Sequence, residues 1–274
     1  MKLQEKLLEC RKQKKVILAT NFYNLETLQG ILKAISELKV PVIFQLSESS
    51  INYIGLNMAV KMAKQGIADY GIEGWVHLDH GGSPELVKRC LDAGFDSVMI
   101  DASEKEFDEN VRISAGVVEM AKSYGANVEA ELGYIAKLGQ NQAANGFTQP
   151  EDAKKFAELT GVNALAVAIG SAHGFYKKEP HLQIDLLEKI HQVTEVPLVL
   201  HGGSGIPSEM LREAVSHGIC KINLATEIKD TFSRTVKTQM ADTDEIDLRK
   251  LFPPAINSVK ELIKAKILSI QSIK

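Results

Sequence analysis

Three histidines in this sequence share one local context, in which the histidine follows an apolar run and is itself followed by glycine. They are His80 in "HLDHGG", His173 in "GSAHGF" and His201 in "LVLHGGSG". Three imidazole ligands with an open fourth position are one arrangement that a catalytic zinc ion uses. The pattern predicts a metal centre if the fold brings the three segments together. The alternative is three unrelated loop histidines, each satisfied by its own hydrogen bonds.

A carboxylate precedes the first of these histidines. Asp79 lies next to His80 at the end of the run "WVHLDH", and a carboxylate beside a metal-bound substrate can accept and return a proton. We therefore predict that Asp79 is the general acid/base, the alternative being a helix cap or a partner of a metal ligand. His77 shares a strand face with Trp75 and Asp79, and we expect it in the core or beside a ligand rather than on the metal.

Apolar runs alternate with longer amphipathic stretches along the whole chain. The predicted strands are residues 16–19, 41–45, 75–78, 96–100, 127–132, 164–169, 197–201 and 221–224, each followed by a predicted helix, with a last helix near 256–270. Continuous apolar strands are typical of a parallel sheet that is covered on its faces. Eight strand–helix units in about 250 residues predict a (β/α)8 TIM barrel. We expect residues 1–274 to form one such domain with an extra C-terminal helix, the alternative being an open, doubly wound sheet.

The last two strand ends carry a different signal. The segments "HGGSG" (201–205) and "NLATE" (223–227) both lead from a predicted strand into a predicted helix, where barrels commonly hold a phosphate group. Glycines there permit close backbone approach, hydroxyl and amide side chains offer hydrogen bonds, and "HGFYK" adds a backbone donor and a positive charge. The candidate phosphate ligands are Gly174, Lys177, Gly202, Gly203, Ser204, Asn223 and Thr226.

Composition limits the other functional classes. Of the 274 residues, 45% are hydrophobic, which is enough to form a large core. The formal net charge of −3 gives no reason to expect nucleic acid or an anionic membrane as a partner. Cys10, Cys90 and Cys220 are widely spaced, and we interpret them as reduced thiols of a cytoplasmic protein. The charged N-terminal segment does not read as a signal peptide, and no apolar run reaches the roughly 18 residues of a membrane helix.

Taken together, these motifs resemble the class II, metal-dependent ketose-bisphosphate aldolase family. The resemblance covers nearly the whole chain and is carried, in order, by "TNFYNLET", "HLDHG", "SVMIDAS", "VEAEL", "AVAIGSAHG", "LVLHGGSGIP" and "KINLATE". It implies one catalytic Zn²⁺ on His80, His173 and His201, with Asp79 as proton donor. It also implies a carbon–carbon lyase that converts a ketose 1-phosphate or 1,6-bisphosphate into dihydroxyacetone phosphate and an aldehyde, with the metal as electron sink.

The resemblance assigns further residues. Glu131 matches a carboxylate near the metal, as an alternative ligand or a partner of one, and Asn21 and Ser47 match substrate contacts. Arg249 in "DLR" resembles an arginine that reaches the far phosphate, often in a neighbouring subunit, which implies a homodimer or homotetramer. The dihydroxyacetone phosphate pocket, with room for a monovalent cation beside it, matches Gly174, Gly202, Gly203, Ser204, Asn223, Leu224, Ala225 and Thr226.

Two departures bear on the substrate. Ala225 stands where fructose-bisphosphate enzymes often carry aspartate, which is closer to the tagatose-bisphosphate branch. The loop from Tyr134 to Gln149 contains no acidic residue, although the family usually places the proton-abstracting carboxylate there. Tyr134 and Lys137 are candidate substitutes, though neither is an easy base at its ordinary pKa. A weakly catalytic phosphosugar-binding homologue and a metal-dependent hydrolase on the same barrel therefore stay as alternatives.

Overall fold

Eight parallel strands form a closed barrel in the computed structural model of the chain, and each strand pairs with its neighbours in sequence order. The structure describes residues 1–133, 135, 146–176, 179–241 and 243–271. The predicted TIM barrel is confirmed, and the open sheet is wrong because β1 also pairs with β8, from Ile17 with Lys221 to Thr20 with Leu224. The strands are β1 Ile17–Asn21, β2 Val42–Ser47, β3 Gly74–Gly81, β4 Ser97–Ile100, β5 Asn127–Leu132, β6 Ala164–Val167, β7 Leu198–Leu200 and β8 Ile219–Leu224.

Helices follow every strand and cover the outside of the barrel. Among the described residues, no helix is both long and apolar enough to cross a bilayer. The helices are α1 Leu3–Gln13, α2 Leu25–Leu38, α3 Glu48–Ile54, α4 Leu56–Asp69, α5 Pro84–Asp92, α6 Phe107–Lys122, α7 Pro150–Thr160, α8 Ile184–Val193, α9 Ser208–Ser216, α10 Thr226–Ala241, α11 Leu248–Leu251 and α12 Pro253–Gln271.

Local signals set where several helices begin. Ser83 accepts a hydrogen bond from the backbone N–H of Leu86 at the start of α5, and Pro84 occupies the first helical position, where no N–H is needed. Asn24 caps α2 in the same way by accepting from the backbone of Thr27. Such caps fix the residue at which each helix begins, and they therefore define where the loop between strand and helix ends.

Two features differ from the sequence-based expectation. The helix predicted after β2 divides at Gly55, whose φ of 91° lies in the left-handed region that interrupts a helix. Helix α1 was not predicted, because its segment reads as charged throughout. Its buried residues Leu3, Leu7 and Cys10 nevertheless recur at helical spacing, so α1 has one apolar face.

That face closes the floor of the barrel. Leu3, Leu7 and Cys10 of α1 belong to an inner core cluster. They pack there against strand residues that include Trp75 and Cys220. A second and larger cluster lies between the sheet and the outer helices. The amino end of the barrel is therefore packed with apolar side chains, and polar groups are concentrated toward the carboxyl end.

Candidate active site

The three predicted metal ligands meet at the carboxyl end of the barrel. His80 lies near the end of β3, His173 follows β6, and His201 follows β7 directly. Potential ligand atoms of the three side chains lie within 4.8 Å of one another. The ring centroid of His80 is 4.9 Å from that of His173 and 4.7 Å from that of His201. The fold thus gathers residues from three separate parts of the chain into a group that can hold one ion.

His80 is held in an uncommon backbone conformation with one ring nitrogen occupied. Its φ is 52°, which histidine adopts more readily than most residues but at some cost. Its Nδ1 lies 2.7 Å from Oδ2 of Asp101, so Nε2 is the atom left for a metal. Burial works to lower the pKa of His80, but the hydrogen bond to Asp101 and the charge of Asp79 outweigh it and raise that pKa.

His201 has the complementary arrangement. Its Nε2 lies 2.8 Å from Oε1 of Glu129, and its Nδ1 lies 3.2 Å from Oε2 of Glu131. Burial opposes the charged imidazole, but the two carboxylates prevail and raise the pKa of His201 to about 9. By contrast, burial and the neighbouring imidazoles lower the pKa of His173 to about 3. The site therefore pairs a neutral imidazole with two that carboxylates orient.

Unpartnered buried atoms fit a divalent ion at this point. Within the described residues, neither Nδ1 of His201 nor Oε2 of Glu131 has a hydrogen-bond partner, although the two atoms are neighbours. Buried polar atoms normally have partners, and a metal ion would satisfy both. His80, Asp101 and Glu131 form a second group whose ligand atoms lie within the same 4.8 Å limit. The donor set of imidazoles with a carboxylate nearby suits zinc.

Asp79 is fixed as a carboxylate by three amide side chains. Asn21 donates to its Oδ2 at 2.8 Å, while Gln45 and Asn223 each donate to its Oδ1 at 3.2 Å. Burial would raise the pKa of Asp79, but positive charge on His80 and His201 and the hydrogen bond from Asn21 lower it. Its Oδ1 lies 4.0 Å from Nε2 of His80. Asp79 is thus an ionised group beside the metal position, ready to accept a proton.

A cavity of about 620 Å³ opens over these groups. The predicted residues that line it come from the ends of seven strands: Asn21, Ser47, Asp79, His80, Glu131, His173, Gly174, Gly202, Ser204, Asn223, Ala225 and Thr226. The first turn of α10 begins at Thr226, and a helix start leaves backbone N–H groups free for an anion. The side of the cavity formed after β6, β7 and β8 can therefore accept a phosphate.

Four predicted residues of the described part of the chain are not among those that line this cavity: His201, Gly203, Leu224 and Arg249. His201 is fully buried. A Cβ on Gly203 would lie 2.7 Å from a methyl carbon of Ile222, so this glycine serves close packing. Leu224 is fully buried in the outer core, and a ligand contact from it would have to come from its backbone. The side chain of Arg249 is 90% exposed and pairs with Asp247. Lys177 lies outside the described residues, as do Tyr134 and Lys137 of the loop without acidic residues.

Sequence reasoning did not single out several residues that contact the histidine cluster or line the cavity. Asp101 sits inside the quoted motif "SVMIDAS" at the end of β4, where strand position could have indicated its role. Glu129 lies two residues before Glu131, so both point to the same strand face. Lys229, one helical turn after Thr226, lines the cavity and places a positive charge on the side formed after β8. Its Nζ lies 5.4 Å from the ring centroid of Tyr23, which also lines the cavity.

Comparison with known proteins gives a consistent result. The family model described as "Fructose-bisphosphate aldolase class-II" matches residues 1–274. A fructose-bisphosphate aldolase from Geobacillus stearothermophilus is 41% identical over 271 residues, covering 97% of this chain and 94% of the relative. One from Giardia intestinalis is 38% identical over 293 residues, covering 97% and 91%. The crystal structure of the YdjI aldolase from Escherichia coli K12 superposes with a TM-score of 0.89 at 31% identity, covering 98% and 97%.

Proposed function

Because the chain belongs to the class II fructose-bisphosphate aldolase family, we propose that it cleaves a ketose 1-phosphate or 1,6-bisphosphate into dihydroxyacetone phosphate and an aldehyde. As an aldolase it is a carbon–carbon lyase, and the reverse reaction is condensation of the two products. The observation that carries the proposal is the cluster of three histidines beside Asp79 at one cavity. The full-length family match supports the same reaction type.

We propose zinc as the ion held by His80, His173 and His201. The support is the imidazole donor set and the two unpartnered buried atoms at the site. When bound, zinc supplies Lewis-acid stabilisation of the negative charge that develops on substrate oxygen. Glu131, whose Oε2 is one of the unpartnered atoms, serves as an alternative ligand.

We propose Asp79 as the group that moves the hydroxyl proton. In the cleavage direction its carboxylate accepts the proton of the substrate hydroxyl whose carbon becomes the aldehyde, and in condensation it returns that proton. Asn21 and Asn223 hold it in place while also lining the cavity. Each of these two amides has a side-chain oxygen without a partner among the described residues, which leaves an acceptor for a substrate hydroxyl.

The substrate phosphate is proposed to bind between Gly174, Gly202, Ser204 and the start of α10. Gly174 and Gly202 have positive φ angles of 99° and 68°. A Cβ on Gly202 would lie 2.3 Å from the carbonyl oxygen of Ala172, so no side chain fits. The bare backbone there allows the close approach that an anion requires. We also propose that a monovalent cation binds beside this phosphate.

We propose one domain over residues 1–274, a cytoplasmic location, and a homodimer or homotetramer in which Arg249 reaches the far end of a neighbour's substrate. The exposed side chain of Arg249 and its position outside the cavity of its own chain support that arrangement. Ser47 at the opposite wall of the cavity is proposed to contact the aldehyde half.

The proposal is tested by product detection. Purified protein is incubated with fructose and tagatose 1-phosphates and 1,6-bisphosphates, and triose phosphate is followed with a coupled dehydrogenase. We expect triose phosphate from at least one ketose, no product after chelation, and recovery with zinc. Binding of these sugars without any triose phosphate would contradict the lyase and favour the phosphosugar-binding alternative raised by the loop that lacks acidic residues.

A second prediction concerns the phosphate side of the cavity. Replacing Lys229 with methionine removes the positive charge there and is expected to raise KM for a ketose phosphate about threefold to tenfold, with kcat nearly unchanged. The effect is modest because the side chain is exposed to solvent and its charge is screened. Lys237→Met on the same helix, outside the cavity, is the matched control and should leave KM unchanged. An equal rise in both variants would remove Lys229 from the site.

A further inference from the structure

Beside the histidine site, the barrel interior contains charged groups that do not line the cavity. Lys221 on β8 is 1% exposed and Glu129 on β5 is 2% exposed. Neither residue is among those that line the cavity. Charged side chains are rarely buried without a partner, and a buried pair often contributes little to stability compared with apolar residues. Their presence beside a metal site suggests a role in that site.

The two charges connect directly to a metal ligand. Nζ of Lys221 donates to Oε2 of Glu129 at 2.7 Å, and Oε1 of the same carboxylate lies 2.8 Å from Nε2 of His201. An ionised carboxylate can only accept hydrogen bonds, so Nε2 of His201 must carry the hydrogen. The other ring nitrogen, Nδ1, is the atom that faces Glu131 and the metal position.

A catalytic role for the Lys221 amine is not compatible with this arrangement. A Schiff base would require its nitrogen to reach a substrate carbonyl, whereas the nitrogen is paired with Glu129 and Lys221 does not line the cavity. His77 lies on its other side, with Nε2 at 3.4 Å from Nζ of Lys221 and Nδ1 at 2.8 Å from Oγ of Ser97. Burial and the charge of Lys221 lower the pKa of His77 to about 3, so His77 is neutral and accepts from the lysine.

We propose that Lys221 and Glu129 form a positioning pair that fixes the ring of His201 with Nδ1 toward the metal. Lys221 anchors one carboxylate oxygen, and the other oxygen then orients the imidazole, so the lysine acts only through Glu129. Hydrogen-bond partners of metal ligands typically contribute 10- to 100-fold to metal affinity. The inference rests on the metal centre of the proposed function and not on the identity of the sugar.

The first test is zinc affinity, measured by competition with a chromogenic chelator. Glu129→Gln keeps the size of the side chain but has only one oxygen. It therefore cannot use one terminal atom to accept from Lys221 and the other to accept from His201. We expect it to weaken zinc binding roughly 10- to 100-fold. Ser97→Ala is the matched control, since it removes a buried hydrogen bond of the same interior layer without touching His201, and it should bind zinc within twofold of the unmodified protein.

A double variant tests whether the lysine works through the carboxylate. Lys221→Met alone leaves the charge of Glu129 buried without its ammonium partner, which is destabilising, whereas Lys221→Met with Glu129→Gln removes both charges together. If the pair acts as one unit, the double variant binds zinc as weakly as Glu129→Gln and no more weakly. A further additive loss in the double variant would show that Lys221 acts independently and would overturn the proposed connection.

A spectroscopic readout separates positioning from general packing. In protein labelled with ¹⁵N-histidine, the His201 resonance is assigned in the zinc-free state by its loss in His201→Asn and is then followed through zinc addition. In the zinc-loaded protein its Nε2–H should exchange slowly with solvent. Glu129→Gln should accelerate that exchange, and Ser97→Ala should not. Unchanged exchange together with unchanged zinc affinity in Glu129→Gln would overturn the inference. Both measurements need no sugar, so they give a result even if no ketose phosphate is cleaved.

Discussion

Replacing His201 with alanine is expected to abolish zinc binding and ketose phosphate cleavage together. The variant removes one of three clustered imidazoles, and losing a ligand should cost more than the roughly 100-fold upper range for losing a ligand's hydrogen-bond partner. Glu129 keeps its ion pair with Lys221 in this variant, so the barrel interior retains its main charge compensation. Zinc content after dialysis and the rate of triose phosphate formation measure the two effects.

His181→Ala is the matched control, because this histidine is exposed and lies outside the cluster. It should retain zinc and full activity. A His201→Ala protein that held zinc at the original affinity would show that the ion, if present, lies elsewhere. A protein that lost activity but kept zinc would assign His201 to proton transfer instead of ligation.

Replacing Asp79 with asparagine is expected to separate the two functions that His201→Ala removes together. Loss of a general acid/base lowers the rate by about 10²- to 10⁴-fold, so kcat should fall by that factor while zinc affinity stays within a few-fold. The new amide can be accommodated, because the side-chain oxygens of Asn21 and Gln45 have no partners among the described residues. If the amide groups of Asn21 and Gln45 rotate by about 180°, these oxygens can accept hydrogen bonds from the N–H groups of the new asparagine.

The control for Asp79 is Asp92→Asn, a change of the same chemistry at an exposed position on α5 where the carboxylate pairs with Lys88. It should leave kcat and zinc affinity unaltered. Full cleavage by the Asp79→Asn protein would mean that another group moves the hydroxyl proton. Loss of zinc in that protein would mean that Asp79 contributes to holding the ion.

Sequence patterns predicted the barrel because each strand is a short apolar run with a clear end. Helix α1 escaped the same reasoning, since its apolar positions Leu3, Leu7 and Cys10 are separated by charged residues and their common partner is formed by distant strands. The break at Gly55 was missed because a single glycine within an amphipathic stretch is compatible with a continuous helix, and only its backbone angle distinguishes the two.

The site was predictable where chemistry and strand position coincide. His80, His173 and His201 each end or follow a strand, so the barrel alone predicts that they converge. Glu129 and Lys221 were not identified, because one charged residue within an apolar strand is visible in the sequence while its partner across the barrel is not. Their pairing depends on which strand residues face inward at the same height, and that is a property of the closed sheet.

The backbone of His80 has a consequence for how other chains of this fold can be read. A left-handed conformation at a residue with a Cβ costs about 1–2 kcal/mol, whereas glycine adopts it freely and asparagine tolerates it well. On backbone grounds alone, imidazole is therefore the costlier choice at residue 80, and glycine or asparagine would relieve that cost. A chain of this fold with glycine or asparagine at the equivalent position would lose the backbone cost and one of the three clustered imidazoles together.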